Sequence, residues 1–288
     1  GGAERIGATV IPASTGNTAR QITMLQDYGS TMLCCTPSYA LYIGDTMEKN
    51  NIPVSSIHLK AGLFGAEPWT VRMKEEIEKR LGIRAYDIYG LSEISGPGVS
   101  FGCDGSDGLH VNDDHFLIEI VDPATGKNVP DGEKGEVVFT TLTKRGLPLL
   151  RYNTHDISSI THERCACGRT LTRMARITGR SDDMLIIRGV NVFPSQIESV
   201  LLSVGQVEPY YMILVDRVNN LDVMEIKVEL SADAFSDSMR GIEELEAKIR
   251  ASIESTLGIA AKVTFVEPSS LPRSEGKAKR VIDNRTLR

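Results

Sequence analysis

The feature that most constrains the fold is the first third of the sequence, where short apolar runs alternate with helical patterns. The runs "TMLCCT", "SIHLKA" and "AYDIYG" are typical of short buried strands. We predict a further buried strand at "ATVIPAS", from Ala8 to Ser14. This strand–helix–strand order favours a parallel sheet covered by helices.

Three helical patterns separate these runs. Asn17 can cap the first, Ser38 opens the second and Pro68 starts the third. Gly29 and Gly82 stop the first and the third. Apolar residues recur along one side of each helix, at Ile22, Leu25 and Tyr28, at Tyr39, Ile43 and Met47, and at Met73, Ile77 and Leu81.

The pattern changes after Gly90. The runs "HFLIEIVD" and "GEVVFTTL", separated by a turn, predict antiparallel β structure. Beyond Asp183 we expect a helix starting at Pro194, the strands "YYMILVD", "VMEIKVEL" and "KVTFVE", and an amphipathic helix from roughly Ser238 to Leu257. The predicted fold is therefore α/β: a parallel sheet with helical cover plus an antiparallel β section, followed by a small α+β C-terminal domain.

Length and charge limit the classes of function. The chain has 288 residues, enough for two domains. Its formal net charge of -6 argues against a general nucleic-acid or membrane-surface role. No uninterrupted apolar run could span a bilayer. The start "GGAERIGATV" lacks a secretory signal and resembles the middle of a fold, so we expect an upstream portion.

The five cysteines fall into two groups. Cys34 and Cys35 lie in an apolar run, where buried, reduced thiols are expected. Cys103, Cys165 and Cys167 lie in polar, Gly-rich segments. The whole set indicates a reducing cytoplasm rather than a disulfide framework.

The segment "YDIYGLSEISGPG" follows a predicted parallel strand, at the sheet edge where α/β proteins bind ligands. Tyr89 could stack on a base and Ser92 could donate to a phosphate. Glu93 could hold Mg²⁺ together with phosphate oxygens. A strand end with a solvated glutamate explains this segment alone equally well.

Three further segments are ambiguous when taken singly. The glycines of "KAGLFGAEPW" allow close approach to a flat ligand, but an ordinary turn before a helix also explains them. In "RYNTHDI", Asp156 could accept hydrogen bonds from a ribose diol or be solvated, and His155 is given no role. In "LPRSEGKAKR", Lys277 could stabilise charge developing on phosphate, or belong to a disordered basic tail.

Together, the motifs "GAEPW", "YGLSE", "YNTHD", "GRSDD", "RGVNVFPSQIE" and "LPRSEGKAKR" resemble those of the AMP-forming adenylate-forming enzymes. The wording around them, including "ERIGATVIP", "GNTARQ", "CCTPSYAL" and "HVNDDHF", is similar to the phenylacetate-CoA ligase and coenzyme F390 synthetase group of that superfamily. The resemblance covers essentially the whole chain. It implies that a carboxylate is activated with ATP, pyrophosphate is released, and the acyl group passes from the adenylate to a thiol.

The resemblance also implies a role for individual residues. Gly65, Ala66 and Glu67 would lie along one face of adenine and Tyr89 along the other. Asp156 would hold the ribose hydroxyls, Arg180 would also reach the ribose, and Gly90 would belong to the nucleotide-binding set. Ser92 would contact the α-phosphate region, Glu93 would bind Mg²⁺, and Lys277 would contact the reacting oxygens during adenylation. Ile94 and Pro97 would line the acyl pocket, and Gly189 would lie near the pantetheine tunnel of coenzyme A.

The resemblance further implies two half-reactions in one site, served by a mobile small domain. Residues 1–179 would be the C-terminal portion of a large domain, 180–183 a hinge centred on Asp182, and 184–288 the small domain. Rotation would exchange Lys277 for the face near Gly189. A static salt-bridged turn between two fixed domains is the alternative for the hinge segment.

Two features qualify the resemblance. The Ser/Thr/Gly-rich phosphate loop of the family is not found, since "PASTGNTAR" matches the region after it. We therefore expect this chain alone to be inactive in adenylation. The motif "YNTHD" keeps Asp156 but has Asn153 and His155 where many relatives carry arginines.

The second group of cysteines suggests a metal site. Cys103, His110, Cys165 and Cys167 supply three thiolates and an imidazole, a closed set typical of structural zinc sites. Some members of the resembling family carry a zinc there. Three unrelated surface thiols are the alternative.

The predicted activity is that of an AMP-forming aryl-CoA ligase using phenylacetate or a related arylacetate, ATP, Mg²⁺ and coenzyme A. No nucleic-acid or membrane partner is expected, and a homodimer is compatible with the sequence. One alternative is an adenylyltransferase acting on a deazaflavin cofactor. Another is a non-catalytic, zinc-stabilised binding protein, against which the presence of Glu93 and Lys277 argues. The motifs do not rank phenylacetate against hydroxyphenylacetate, indoleacetate or benzoate.

Overall fold

The computed structural model describes residues 1–14, 16–218, 221–231, 239–273 and 279–285, and the structural statements below concern these residues. Lys277 lies outside them. The helices are α1 (Gly2–Arg5), α2 (Thr18–Asp27), α3 (Pro37–Lys49), α4 (Val71–Leu81), α5 (Pro194–Val204) and α6 (Met239–Leu257), with 3₁₀ turns at Val54–Ser56 and Ser92–Ile94. The strands are β1 (Met32–Cys35), β2 (Ala61–Phe64), β3 (Arg84–Tyr89), β4 (Ser100–Cys103), β5 (Ser106–Val111), β6 (Phe116–Val121), β7 (Gly135–Thr141), β8 (Tyr152–Ser158), β9 (Ile160–Thr161), β10 (Arg173–Met174), β11 (Gly179–Arg180), β12 (Leu185–Ile187), β13 (Val190–Val192), β14 (Val207–Val218), β15 (Leu221–Leu230), β16 (Lys262–Val266) and β17 (Val281–Asp283).

The first sheet is parallel at one end and antiparallel at the other. Strands β1, β2 and β3 pair in parallel, with Ala61 facing Met32 on one side and Arg84 on the other. The sheet continues antiparallel in the order β4, β5, β10 and β9. This confirms the predicted parallel sheet and leaves the carboxyl end of β3 beside the antiparallel section.

Helices α2, α3 and α4 cover the parallel strands because each buries one apolar stripe. Ile22, Ile43 and Ile77 are among the buried residues of this core. The first residues of α3 and α4 are set by capping side chains. Thr36 accepts a hydrogen bond from the backbone of Tyr39 (3.3 Å), so α3 begins at Pro37 rather than at Ser38. Thr70 accepts one from the backbone of Met73 (3.2 Å), so α4 begins at Val71, after the predicted Pro68.

Other details of the first third were predicted wrongly. Residues 8–14 form no strand and are largely exposed, because no described strand lies beside them to accept their backbone hydrogen bonds. The strand predicted at "SIHLKA" pairs with β1 only from Ala61, after a 3₁₀ turn. Tyr28 is 67% exposed at the end of α2. Cys34 is exposed because alternate residues of a strand face opposite ways and Leu33 takes the covered side.

The second sheet contains the predicted antiparallel pair. β6 and β7 run antiparallel from Phe116 opposite Thr141 to Val121 opposite Glu136, which confirms that prediction. The sheet order is β11, β8, β7, β6. Since β11 pairs with β8, Arg180 lies opposite Asp156, two residues separated by a long stretch of sequence.

The C-terminal part is an α+β unit with its own core. Its sheet has the order β16, β15, β14, β17, and α5 and α6 pack against it. Ile213, Ile226 and Ile249 are fully buried between these layers. The predicted helix at Pro194, the three strands and the long helix are all present. None of the helices in the described part of the chain combines the length and apolar character needed to cross a membrane.

Candidate functional site

The loop after β3 is tightly folded. A Cβ on Gly90 would lie 3.2 Å from backbone atoms of Gly96, Pro97 and Gly98, so a side chain there would displace the loop. The loop therefore holds its 3₁₀ turn, Ser92–Ile94, next to the end of the parallel strand. This is the edge at which ligands bind to open α/β sheets.

The side chains of this turn differ in their surroundings. Ser92 and Glu93 are exposed, as an assignment to phosphate and Mg²⁺ requires. Ile94 is fully buried in the core between the sheets, while Pro97 is exposed. The assignment of Ile94 and Pro97 to an acyl pocket stays a prediction. No sequence motif indicated Lys144, whose ammonium donates to the carbonyl oxygen of Glu93 and brings a positive charge to the turn.

Tyr89 and Asp156 meet at the end of β3. The phenol of Tyr89 donates to Oδ2 of Asp156 at 2.5 Å, and its ring stacks on Phe139 with centroids 6.1 Å apart. Asp156 is 5% exposed, and burial raises its pKa while the Tyr89 hydrogen bond and Arg180 oppose that rise. Burial also raises the pKa of Tyr89. The structure thus brings together an aromatic ring and a carboxylate that the sequence analysis assigned to adenine and ribose.

Arg180 connects this pair to the predicted hinge. Its Nη1 lies 3.6 Å from Oδ1 of Asp156. Its Nε and Nη2 donate to the two oxygens of Asp182, at 2.8 and 2.7 Å. This bidentate pairing lowers the pKa of Asp182 and raises that of Arg180. One guanidinium is therefore shared between a nucleotide candidate and a hinge candidate.

The "GAEPW" segment lies after β2, beside the same edge. A Cβ on Gly65 would lie 2.2 Å from the carbonyl oxygen of Ile88, so the close approach of these two backbone segments requires glycine at position 65. Ala66 is exposed and has φ 69°. The Glu67 carboxylate accepts a hydrogen bond from the backbone N–H of Ser38 at 2.6 Å. Glu67 thus neutralises the start of α3, and the backbone of Gly65 and Ala66 is what a flat ligand could contact.

Lys277 lies outside the described residues, and the described segment before it is anchored. Glu229 is fully buried and accepts hydrogen bonds from the backbone of Ser269 at 3.0 Å and of Leu271 at 2.8 Å. Arg273 donates to both of its oxygens, at 2.8 and 2.6 Å. The chain is therefore held up to Arg273, four positions before Lys277.

The two remaining predicted positions lie on exposed turns. Asp182 is exposed, and the hydroxyl of neighbouring Ser181 donates to the Glu136 carboxylate. Gly189 has φ 79° at the tip of the β12–β13 hairpin, with open space where a side chain would be. Both locations suit the hinge and tunnel assignments, which stay predictions.

A separate cluster joins the four predicted metal ligands. Nε2 of His110 lies 3.3 Å from Sγ of Cys103 and 3.4 Å from Sγ of Cys167. Sγ of Cys103 lies 3.7 Å from Sγ of Cys165, and all four ligand atoms lie within 4.8 Å of one another. Cys103 and His110 come from β4 and β5, and the two other cysteines from the loop before β10.

Backbone groups support this cluster. The N–H of Gly105 donates to Sγ of Cys103 at 3.3 Å. A Cβ on Gly105 would lie 2.6 Å from the backbone nitrogen of Cys167, so the two loops meet only with glycine there. Hydrogen bonds from Arg169 lower the pKa of Cys167 to about 6, which favours the thiolate that binds metals.

Two family models match the chain. One, described as AMP-binding enzyme, matches residues 2–142. The other, described as AMP-binding enzyme C-terminal domain, matches residues 189–285. The gap between them contains Asp156, Arg180 and Asp182.

Curated relatives match the chain over nearly its whole length. Phenylacetate-coenzyme A ligase of Thermus thermophilus is 45% identical over 99% of this chain and 67% of its own length. The Escherichia coli protein of the same name is 46% identical over 99% of this chain and 65% of its own length. The chain thus spans about two thirds of the length of the curated relatives it matches.

The fold matches a solved enzyme in one of its states better than in another. 2-Hydroxyisobutyryl-CoA ligase in the postadenylation state, in complex with R3-HIB-AMP, gives a TM-score of 0.92 at 30% identity, covering 99% of this chain and 61% of that one. The same protein in the thioesterification state, with 2-HIB-AMP and CoA, gives a TM-score of 0.62 at 31% identity, with the same coverage.

Proposed function

Because this chain belongs to the family of AMP-binding enzymes, we propose that it forms the nucleotide and small-domain part of an aryl-CoA ligase that converts phenylacetate or a related arylacetate, ATP and coenzyme A into an aryl-CoA, AMP and pyrophosphate. The observation that carries the proposal is the meeting of Tyr89, Asp156 and Arg180 at the end of β3. Three distant segments there supply a ring for a base and a carboxylate for a diol. The phenylacetate-CoA ligase relatives indicate the substrate class.

In the proposed reaction the carboxylate of the aryl acid attacks the α-phosphate of ATP and pyrophosphate leaves. Tyr89 and the segment of Gly65, Ala66 and Glu67 would hold adenine, and Asp156 would accept hydrogen bonds from the ribose hydroxyls. Ser92 and Lys277 would contact the phosphate and carboxylate oxygens as negative charge develops on them. The protein's contribution is thus position and charge, because ATP supplies the leaving group.

The exposed Glu93 fits a magnesium role by its chemistry. Carboxylate oxygens together with substrate phosphates are the ligands that Mg²⁺ usually has in such sites. When bound, Mg²⁺ would offset the negative charge of the phosphates. Glu93 would orient the ion, and Lys144 beside its carbonyl adds a second positive group.

In the second half-reaction, the thiol of coenzyme A attacks the acyl-adenylate and AMP leaves. We propose that the small domain, residues 184–288, turns about residues 180–183 between the steps, on the 1–179 portion. The supporting features are the exposed Asp182 and the exposed hairpin tip at Gly189. Exposed polar residues can change φ and ψ without disrupting a core.

We also propose a structural zinc at Cys103, His110, Cys165 and Cys167. Three sulfur atoms and one imidazole form the closed ligand set of structural zinc sites. With Zn–S bonds of about 2.3 Å, a tetrahedral site needs sulfur atoms about 3.8 Å apart. The 3.7 Å between Cys103 and Cys165 fits that spacing. The zinc would tie β4 and β5 to the loop before β10.

The test of the ligase proposal is ATP–pyrophosphate exchange with a panel of aryl acids, followed by thioester formation with and without coenzyme A. Both this chain and a form extended upstream to the length of the Thermus thermophilus relative are assayed. We expect exchange with arylacetates by the extended form, CoA-dependent thioester formation, and no exchange by the chain alone. Adenylate formation only on a deazaflavin, or no exchange with any acid by the extended form, would contradict the proposal.

A further inference from the structure

An ion-pair cluster stands where the C-terminal unit meets the first sheet. On the first-sheet side, Arg80 of α4 donates to Asp45 of α3 and to Glu76, the latter at 2.6 Å. Asp45 is 7% exposed. A Cβ on Gly44 would lie 3.1 Å from Cβ of Arg80, so the two helices approach closely and fix the guanidinium.

The C-terminal unit completes this cluster with two residues of β14. Oε2 of Glu208 lies 3.0 Å from Nη2 of Arg80. The hydroxyl of Tyr210, 8% exposed, donates to Oδ2 of Asp45 at 2.5 Å. Each contact joins one unit to the other, and each involves a charged group that is largely removed from water, where hydrogen bonds are strong.

The same tyrosine supports the approach to Lys277. The guanidinium of Arg273 lies 3.4 Å from the centroid of the Tyr210 ring, within cation–π range. Arg273 is also fixed by the buried Glu229. Tyr210 therefore contacts both Asp45 of the first-sheet part and Arg273, four positions before Lys277.

The charged contact lies beside solvent-accessible space. A cavity of about 500 Å³ borders it, lined by Arg72, Gln206 and Glu208 among others. Water can therefore reach the charged groups once the units separate, which lowers the cost of breaking the pairs. Leu202 of the C-terminal unit also packs into the first-sheet core cluster.

Two arrangements of such units are visible in a relative. The TM-score of this chain is 0.92 against 2-hydroxyisobutyryl-CoA ligase in the postadenylation state and 0.62 against the same protein in the thioesterification state. Coverage and identity are nearly equal in the two comparisons, so the difference lies in how the parts are arranged. The cluster described above belongs to an arrangement like the first.

We propose that Asp45, Arg80, Glu208 and Tyr210 form an interdomain latch that holds the small domain in the adenylation pose and opens for transfer to coenzyme A. These are positioning residues at the contact between the two units: they act by keeping the small domain docked, and with it the segment before Lys277 that Glu229 holds. The kinetic part of this inference rests on the proposed ligase function, whereas the latch itself does not.

The first test measures domain pose in this chain without any reaction. Spectroscopic labels on noncanonical residues at the exposed positions Lys127 and Ser255 report the distance between the two units. Tyr210→Phe removes one hydrogen bond to a charged acceptor, so it should raise the ratio of open to docked molecules about tenfold to a hundredfold. Asp45→Asn serves as a second variant and should also open the latch.

The matched control is Tyr211→Phe. Tyr211 lies on the same strand and donates to the buried Glu198 at 2.9 Å, so the variant removes an equivalent bond inside one unit. Its distance distribution should match that of the unaltered chain. An unchanged distribution in both Tyr210→Phe and Asp45→Asn, or an equal shift in Tyr211→Phe, would overturn the latch.

The second test uses the extended form and its two half-reactions. Tyr210→Phe should lower kcat of ATP–pyrophosphate exchange while KM for ATP stays the same, because the latch sets how often the adenylation pose is occupied. Transfer from supplied acyl-adenylate to coenzyme A should keep or exceed its rate. Equal losses of rate in both half-reactions would overturn the positioning role of Tyr210. Absence of exchange in the unaltered extended form would count against the proposed ligase function, whereas the distance test of the latch would remain valid.

Discussion

The buried carboxylate of Asp156 provides the sharpest test of the nucleotide site. Asp156→Asn keeps the size of the side chain but replaces a charged acceptor with a neutral amide. Tyr89 already donates to Oδ2 at 2.5 Å, and Oδ1 lies 3.6 Å from Arg180. An asparagine is uncharged and keeps only one acceptor oxygen, with an NH₂ donor in place of the other, so Tyr89 and a ribose diol would share fewer and weaker acceptor positions.

The expected loss of affinity follows from that count. One hydrogen bond to a charged acceptor contributes about 1.5–3 kcal/mol, so nucleotide should bind roughly 10-fold to 150-fold more weakly to the variant. Isothermal titration with AMP or ATP measures this. Asp87→Asn is the matched control, because Asp87 is a carboxylate on β3 whose pKa burial raises to about 6, away from the ribose position. The control should bind nucleotide like the unaltered protein.

The same Asp156→Asn substitution that weakens nucleotide binding should increase the stability of the fold relative to the unaltered protein as pH rises. Burial raises the folded-state pKa of Asp156, so the native state holds this proton more tightly than the unfolded state does. The contribution of Asp156 to stability therefore falls as pH rises from the unfolded pKa, about 3.9, through the raised folded value. The asparagine variant lacks this loss and should gain in relative stability across that window. Denaturant unfolding at several pH values measures it.

Two results would refute this reasoning about Asp156. Nucleotide affinity equal to that of the unaltered protein would show that Asp156 does not hold ribose. A variant that became less stable relative to the unaltered protein as pH rose would show that Arg180 and Tyr89 outweigh the cost of burying the charge.

Three further predictions concern the metal, the lysine and the hinge. Metal analysis of tag-free protein should find about one zinc per chain, and removing it with a chelator should lower Tm. Full zinc occupancy in a Cys165→Ser/Cys167→Ser variant would exclude the proposed zinc site. In the extended form, Lys277→Ala should lower the adenylation rate by orders of magnitude, measured by exchange, because it removes a charge aimed at the transition state; transfer from supplied acyl-adenylate should suffer much less, and equal losses would give the lysine another role. Asp182→Pro fixes φ at about -65°, so in single-turnover assays it should spare adenylate formation and strongly slow transfer to coenzyme A. Unaltered rates of both half-reactions would exclude Asp182 as the hinge.

The alternation of apolar runs was enough to predict the parallel sheet, because strands and helices differ in period. It was not enough to place "ATVIPAS", since an apolar run becomes a strand only beside a partner. Helices α3 and α4 begin at other residues than predicted, because Thr36 and Thr70 accept backbone hydrogen bonds at their N-termini. The pattern of apolar residues does not indicate which polar residue caps a helix.

The motifs named residues from separate segments that the fold brings together, but they did not predict the individual contacts; the roles of these residues stay predictions. Tyr89, Asp156 and Arg180 were named from separate segments, and the strand pairing brings them together. The assignment of Glu67 to adenine stays a prediction; that its carboxylate accepts from the backbone N–H of Ser38, in the first turn of α3, depends on tertiary packing and carried no sequence signal. Lys144 carried no signal, since an exposed lysine in a loop is ordinary. Its position beside the Glu93 carbonyl follows from the fold alone.

Arg180 suggests how nucleotide and domain position are coupled. Its guanidinium approaches Asp156 at 3.6 Å and pairs with Asp182 at 2.7 Å. A ribose diol that donated to Asp156 would compete for the same oxygens, and Arg180 would then depend more on Asp182. Bound nucleotide would in this way favour one geometry of residues 180–183, and release of AMP would remove that preference. Under the proposed function, Arg180 would both help to hold ribose and bias the conformation of residues 180–183, which gives one physical reason for the two aspartates to flank the same arginine.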